Sequence, residues 1–527
     1  MNDVRTVRAF IRSRGRGPTS WSDRYVSLFA LTVAAAVLAD PLTGAFAKLT
    51  AISRQVDPSR LGAGIALVAL AYAGFLSLAR RVGPVVLPAA DAAWLLRSPL
   101  PRRDVLRRTS AILLAVSLAS GAALSLALFA VLAGSAAHGT LVLATAVLVG
   151  LSAAVGGMAA AVVAQSSPTW ESWLRGAVVS LVVAAVLTAV AGSGPGRQVL
   201  TAVTPTGPGR QVLAAVTGAP RSLGATPAGL SAAAALLLVR QAWRALGRIH
   251  VSSLLATSTR AGHVAAAAVV MDPGALTWAA EDNHWRARAL RSRPWPALLS
   301  RGAPWARHAV SAPLALAWHD WRRLARRPGR LAALLGTAAL PALAAQAQGG
   351  LSAVAVAVLA AGALTAAAVC TAGARRDGED PGLARLFGVN PRAVLAARAL
   401  LPALMSAAWL TFALGVLTVT GALTGSWWLL GPLAAPALAA GALRMARRRP
   451  IDHSMPVIDT PSGAVPTGWV VWAFTGVDVA AIGCAPMLYA LAVQPPDTGA
   501  FVTAQAVSGF AVLAAFLLGA KTGVRRG

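Results

Sequence analysis

Residues 111–135 read AILLAVSLASGAALSLALFAVLAGS, without a single Asp, Glu, Lys or Arg. A helix rises about 1.5 Å per residue, so roughly 20 apolar residues cross a hydrocarbon core of about 30 Å. This stretch is long enough to span. The run before it, SPLPRRDVLRR at 98–108, is strongly basic and ends abruptly where the apolar residues begin. Working outward, eleven more segments meet or approach the same criterion: 25–47, 61–79, 140–165, 176–196, 222–239, 331–349, 351–374, 399–423, 425–443, 468–493 and 499–520. Only two of the twelve contain a charge, Asp40 near one end of its span and Asp478 well inside. The expected fold is an all-α, polytopic transmembrane bundle of about twelve helices.

Bulk composition agrees. The 527 residues are 57% hydrophobic with a mean hydropathy of +0.64, and only 12% are charged, against about 25% in soluble domains. A soluble protein of this length needs a wetted, charged surface, so lipid is the simpler solvent. The net charge of +29 raises a nucleic-acid partner as a possibility. The distribution of the basic residues argues against it. With the N-terminus inside, the segments 1–24, 80–110, 166–175, 240–330, 375–398, 444–467 and 521–527 hold 41 of the 47 Lys and Arg. That asymmetry is the positive-inside pattern of a multi-pass protein of the cell membrane, with both termini cytoplasmic. No nucleic acid is expected. The polar, basic start of the chain does not read as a signal peptide.

Candidate chemistry is sparse. Lys occurs only at 48 and 521, neither after Gly, so no phosphate-cradling P-loop is present. No HExxH, GxSxG or paired-carboxylate pattern appears, and no enzyme activity, metal or cofactor is expected in this chain. Cys370 and Cys484 lie in apolar runs and read as buried, reduced, structural thiols. His319-Asp320 reads as a surface pair on an interfacial helix. Gln346 and Gln505 are expected to face headgroups, and Trp427, Trp428, Trp469 and Trp472 to form interfacial belts. Asp478 is the one charge deep in an apolar helix; intramembrane ionisable groups are costly and are functional candidates for substrate or proton binding. The competing reading is a carboxyl hydrogen-bonded to Thr475 or to another helix.

The chain also repeats its order of parts. A basic, aromatic-containing run (Val4 to Arg16, then Trp318 to Arg330) is followed by two apolar helices, a cytoplasmic segment and four more helices. This divides the chain into a first six-helix half over 1–248, an Arg-rich cytoplasmic linker over 249–308 and a second six-helix half over 309–527. Each half opens on an interfacial helix. The cytoplasmic segments share a local pattern. Leu95-Leu96-Arg97-Ser98-Pro99-Leu100-Pro101-Arg102-Arg103 and Leu386-Phe387-Gly388-Val389-Asn390-Pro391-Arg392 both give an apolar pair, a Pro-containing turn and Arg before Val-Leu opens the next helix. In the loop 192–226, the stretch 194–204 recurs at 207–217 with a period of 13 residues. That duplication reads as slippage in a tolerant loop, or as two short helical turns at the outer interface.

These features resemble the membrane subunits of ABC-2-type exporters. The resemblance implies six helices per half, an amphipathic helix on the inner surface, and a coupling element between the second and third helices. It also implies a permease whose ATPase is a separate chain, acting as a homodimer. Carried onto this sequence, the coupling element falls on Pro99, Pro101, Arg102 and Arg103, and in the second half on Pro391 and Arg392. Two rival readings use the same sequence. A proton- or ion-coupled 6+6 secondary transporter would need more charges in its spans. A non-transporting membrane scaffold would need none.

Overall fold

A computed structural model of the protein describes residues 58–87, 92, 101–132, 139–192, 225–259, 312–326, 328–380, 382, 390–449, 457–460 and 463–519. The chain divides into two compact units, one over residues 1–286 with 347–349 and the other over 287–346 with 350–527. Apart from one short hairpin, the described residues build helices. The predicted first span at 25–47, the tandem repeat at 194–217, and Pro99 lie outside the described residues.

The first unit contains α1 (Pro58–Val82), α2 (Arg102–Leu132), α3 (Gly139–Ser166), α4 (Pro168–Gly192) and α5 (Ala225–Ala245). Their Ala- and Leu-rich sequences have high intrinsic helix propensity. The 31 residues of α2 extend about 46 Å. That exceeds the hydrocarbon thickness and leaves the arginine-bearing first turns outside it. Helix α3 is the centre of the unit and packs on α1, α2, α4 and α5. Its glycines allow this. A Cβ at Gly150 would collide with Ser125 of α2, one at Gly157 with Tyr72 and Leu76 of α1, and one at Gly156 would crowd Ala235 of α5.

The second unit contains α6 (Ala312–Ala325), α7 (Pro328–Thr337), α8 (Leu340–Gln348), α9 (Ala353–Ala368), α10 (Ala372–Glu379), α11 (Pro391–Val419) and α12 (Leu430–Ala446). A two-stranded antiparallel hairpin follows, β1 (Val457–Thr460) with β2 (Gly463–Pro466), in which Val457 pairs Pro466. The chain ends in α13 (Thr467–Phe474), α14 (Val477–Gly483), α15 (Ala485–Val493) and α16 (Gly499–Gly519). Here α12 is central. It packs on α9, α11, α14 and α16, and every residue from Ala434 to Leu443 is buried. In both units the most enclosed helix therefore follows the long helix that begins at a Pro-Arg turn.

Seven helices among the described residues are long and apolar enough to cross a membrane, or eight if the pair α9–α10, bent by 62°, is one span. Outward faces carry Leu230, Leu236, Leu404, Phe510 and Val507, each at least 60% exposed. Faces of this kind are stable against lipid and not against water. The protein is a helical membrane protein.

Three expected continuous spans are broken, 351–374 near its end by the bend between α9 and α10. The segment 331–349 is split into α7 and α8, because Pro341 has no N–H to continue the ladder. The buried Trp409 of α11 fills the gap, its Nε1 donating to the Leu334 carbonyl at 2.9 Å and to Thr337 Oγ1 at 3.2 Å. The segment 468–493 is divided twice. Gly476, with φ of 96°, separates α13 from α14, and Pro486 opens α15 after α14 ends. At the second break the Gln505 carboxamide stands in for the missing backbone bond. Its Oε1 accepts from Met487 N at 3.1 Å, and its Nε2 donates to Gly483 O at 2.8 Å. Gln505 is fully buried, which corrects the expectation that it faces headgroups. Trp427 is likewise core and not belt, whereas Trp428 is exposed. Gln346 is only partly exposed, with its Oε1 buried. Cys370 and Cys484 are free and buried, as expected.

Candidate functional site

Two places in the fold gather polar groups against an apolar background, one in each unit. Both lie where a long helix begins at a Pro-Arg turn.

In the first unit, Gly83 ends α1 with a positive φ of 81°, and Pro84 follows, a common helix stop. The chain then runs without regular secondary structure through Val85 and Leu87, and both residues are buried. A non-helical segment in a protein interior needs partners for its backbone groups, and side chains supply them. Gln165 at the end of α3 accepts from Val85 N at 3.1 Å and donates to Val85 O at 3.2 Å. Thr257 Oγ1 also donates to Val85 O, and Ser258 Oγ accepts from Leu87 N at 3.2 Å. Residues 251–259 are helical, and Leu254, Thr257 and Ser258 are buried. The start of the stretch expected to be a linker thus packs into the first unit. Val85, Leu87, Val105, Leu106, Ile249 and Leu254 close the apolar floor beneath.

The start of α2 rests on this platform. Arg102 is half-buried and donates from Nη1 to the Ile249 carbonyl at 3.0 Å. It is a structural tie. Pro101, Arg103, Arg107 and Arg108 are exposed, with the Arg103 guanidinium lying over Gly247. Of the expected coupling residues in this half, the structure therefore presents Pro101 and Arg103 outward and turns Arg102 inward.

In the second unit the Asn390 side chain caps α11 by accepting from Arg392 N at 2.9 Å, and Pro391 and Arg392 are exposed. One face of the same helix carries a buried ionic cluster that the sequence reading did not anticipate. Arg398 donates from Nη1 to Asp320 Oδ1 of α6 at 2.7 Å. It also holds Asp377 of α10 bidentately, from Nε at 2.9 Å and from Nη2 at 3.2 Å. Arg398 is 6% exposed and Asp320 5%. Gly373 makes room: a Cβ there would collide with the Arg398 guanidinium and with Asp320. Burial pushes the Asp320 carboxyl above its usual range while Arg398 pulls it down. Burial also lowers His319. The expected surface pair is therefore split, with His319 exposed and Asp320 in the core. A signal was available in the sequence. Asp320 is the sole acid in the basic run Trp318 to Arg330.

Asp478 is also corrected. It does not lie deep in a continuous helix but in the first turn of α14, just after the Gly476 break, and is 41% exposed. Its Oδ1 accepts from Gly476 N at 2.7 Å and Val479 N at 2.9 Å, and its Oδ2 pairs with Arg444 at 3.2 Å. These are the contacts of a first-turn acid that satisfies N–H groups at the start of a helix and complements its dipole. Nearby, Arg448 stacks over the Trp472 ring at 3.3 Å and donates to the Trp472 carbonyl.

Taken chemically, the two platforms offer rigid, arginine-bearing turns set on satisfied polar networks. Among the described residues, no group of His, Cys, Asp and Glu is placed to hold a metal ion. No curated protein and no solved structure matches this chain. A family of unknown function, DUF6297, matches residues 57–456 of the 527, and the chain belongs to that family.

Proposed function

We propose that the protein is the membrane-spanning permease subunit of an ABC-type exporter, similar to the ABC-2 type, in the cell membrane. It would have twelve helices in two pseudo-repeated halves and both termini cytoplasmic. ATP hydrolysis would reside on a separate ATPase, a homodimer, with no cofactor or catalytic site in this chain. The observation that supports this reading is the recurrence of one device. In each unit a long apolar helix, α2 or α11, starts at an exposed Pro-Arg turn and leads into the helix at the centre of the unit. A push on Arg103 or Arg392 would be transmitted along the helix to the core of its half. The fixed networks beneath, Gln165 with Val85 and Arg398 with its two aspartates, suit a surface that must not yield locally. An arginine's planar donors match carboxylates on a soluble partner.

Affinity purification from native membranes tests this. An ATPase should co-purify with the wild-type protein and be lost from Arg103→Glu combined with Arg392→Glu, whose side chains are exposed and leave the fold intact. Absence of any ATPase, or its retention by the double variant, would sink the proposal.

A further inference from the structure

Between α2, α3 and α5 of the first unit lies a cavity of about 300 Å³, at the lower end of the roughly 300–1,000 Å³ typical of ligand sites. Its floor is apolar and closed: Met158, Ala159, Val162, Ala242 and Leu246 are all less than 9% exposed. The two hydroxyls in the lining are already satisfied, since Ser110 and Ser117 donate back to the Leu106 and Leu113 carbonyls of their own helix. Nothing on the floor seeks a polar partner. The rim differs, with Arg107 and the half-exposed Trp243 bordering it.

The depth of the cavity identifies an occupant. Along α2 it extends from Arg107 to Ser117, ten residues and so about 15 Å of rise. That is half of a hydrocarbon core of about 30 Å. The other two walls run in matching order: Val162 lies near the C-terminal end of α3 and Leu246 just past the arginine-bearing end of α5, with Val155 and Val239 deeper. The cavity thus runs from headgroup level to mid-membrane within a single leaflet. Beside it Leu114, Leu118, Leu236 and Leu237 are exposed on the membrane-facing surfaces of α2 and α5, so acyl chains are the medium at its mouth. Around the rim, Arg103, Arg108, Arg240, Arg244 and Arg248 are exposed on the same helices and the turn after α5. The acid nearest the rim on these elements is Asp104, one turn before Arg107.

We infer that this cavity binds one acyl chain of a lipid with an anionic headgroup, in the leaflet on the arginine-rich side, with the headgroup held at Arg107. Arginine supplies several donors to a phosphate, Trp243 suits the interface by its amphipathic ring, and the satisfied apolar floor accepts hydrocarbon. The inference uses the orientation proposed above and not the coupling to an ATPase, so loss of the ATPase interaction leaves it standing.

The test uses the full-length protein in lipid discs holding equal amounts of phosphatidylglycerol and phosphatidylcholine. Leu114 is replaced by photoreactive benzoylphenylalanine and the products of illumination are weighed by mass spectrometry. Phosphatidylglycerol adducts should exceed phosphatidylcholine adducts by about fivefold, the effect of one arginine at an anionic headgroup. Arg107→Gln, an exposed change that spares the core, should reduce that preference. Ala242→Trp should fill the cavity and reduce both adducts. Equal labelling by the two lipids, a preference undiminished in Arg107→Gln, or adducts to residues 25–47 or to a second copy of the chain would overturn the assignment.

Discussion

Replacing Arg398 by Met is the most informative single perturbation of the second unit. The side chain is 6% exposed and makes three charge-assisted hydrogen bonds, at 2.7, 2.9 and 3.2 Å, to two carboxylates that are 5% and 15% exposed. Methionine fills similar space but leaves both aspartates buried without a counter-ion. Breaking a buried ionic pair in this way costs about 3–5 kcal/mol. At about 2–4 °C per kcal/mol for a unit of this size, the thermal midpoint should fall by about 6–20 °C. The loss should depend on pH. Burial still pushes Asp320 upward, and the guanidinium that opposed it is gone, so the folded variant holds protons more tightly than the unfolded chain. The deficit therefore accrues as pH rises from about 4, the unfolded aspartate value, toward the raised folded value, and it shrinks on acidification. The assay is thermal unfolding of detergent-purified protein, followed by loss of the monodisperse peak on size exclusion across pH. Adding Asp320→Asn and Asp377→Asn to Arg398→Met should recover most of the stability. The exposed Arg392→Met serves as control and should not shift the midpoint. A midpoint for Arg398→Met within about 2 °C of wild type at neutral pH would refute the reasoning, as would a triple variant no better than the single one.

Three further outcomes follow from the packing. Gln505→Ala removes the carboxamide that bonds Gly483 O and Met487 N at the break between α14 and α15; Gly483 O keeps Ser508 Oγ, but the buried Met487 N is left unpaired at a cost of about 1–3 kcal/mol, measurable in the same thermal assay. Gly362→Ala would drive a methyl into the Trp409 ring, which is held at Leu334 and Thr337. Overpacking of that kind should cost about 1–3 kcal/mol, and an added Trp409→Phe should relieve part of it. Asp478→Asn keeps one acceptor oxygen at the helix start and should be nearly neutral. Asp478→Leu should cost about 0.3–1 kcal/mol, and neither should abolish a membrane-energised activity, because the residue is a first-turn acid paired with Arg444.

The amino-acid sequence by itself determined the solvent, the class and the periodicity of this protein. Uncharged runs such as 111–135 leave no alternative to helices in lipid, because an apolar segment there must satisfy its own backbone hydrogen bonds. The Pro-Arg turns before α2 and α11 were also legible, since proline and asparagine mark helix starts locally. Other features depended on residues distant in the chain. Composition cannot tell a continuous span from 331–349 or 468–493, where Pro341, Gly476 and Pro486 break the helix and remote side chains, Trp409 and Gln505, repair it. Arg398 looked like a topology signal among many arginines until α6 and α10 brought Asp320 and Asp377 to it across 78 and 21 residues. Arg102 looked like a handle until the Ile249 carbonyl claimed it. Which polar group faces lipid, water or the core is a property of the neighbours on other helices, and those neighbours are fixed only by tertiary packing.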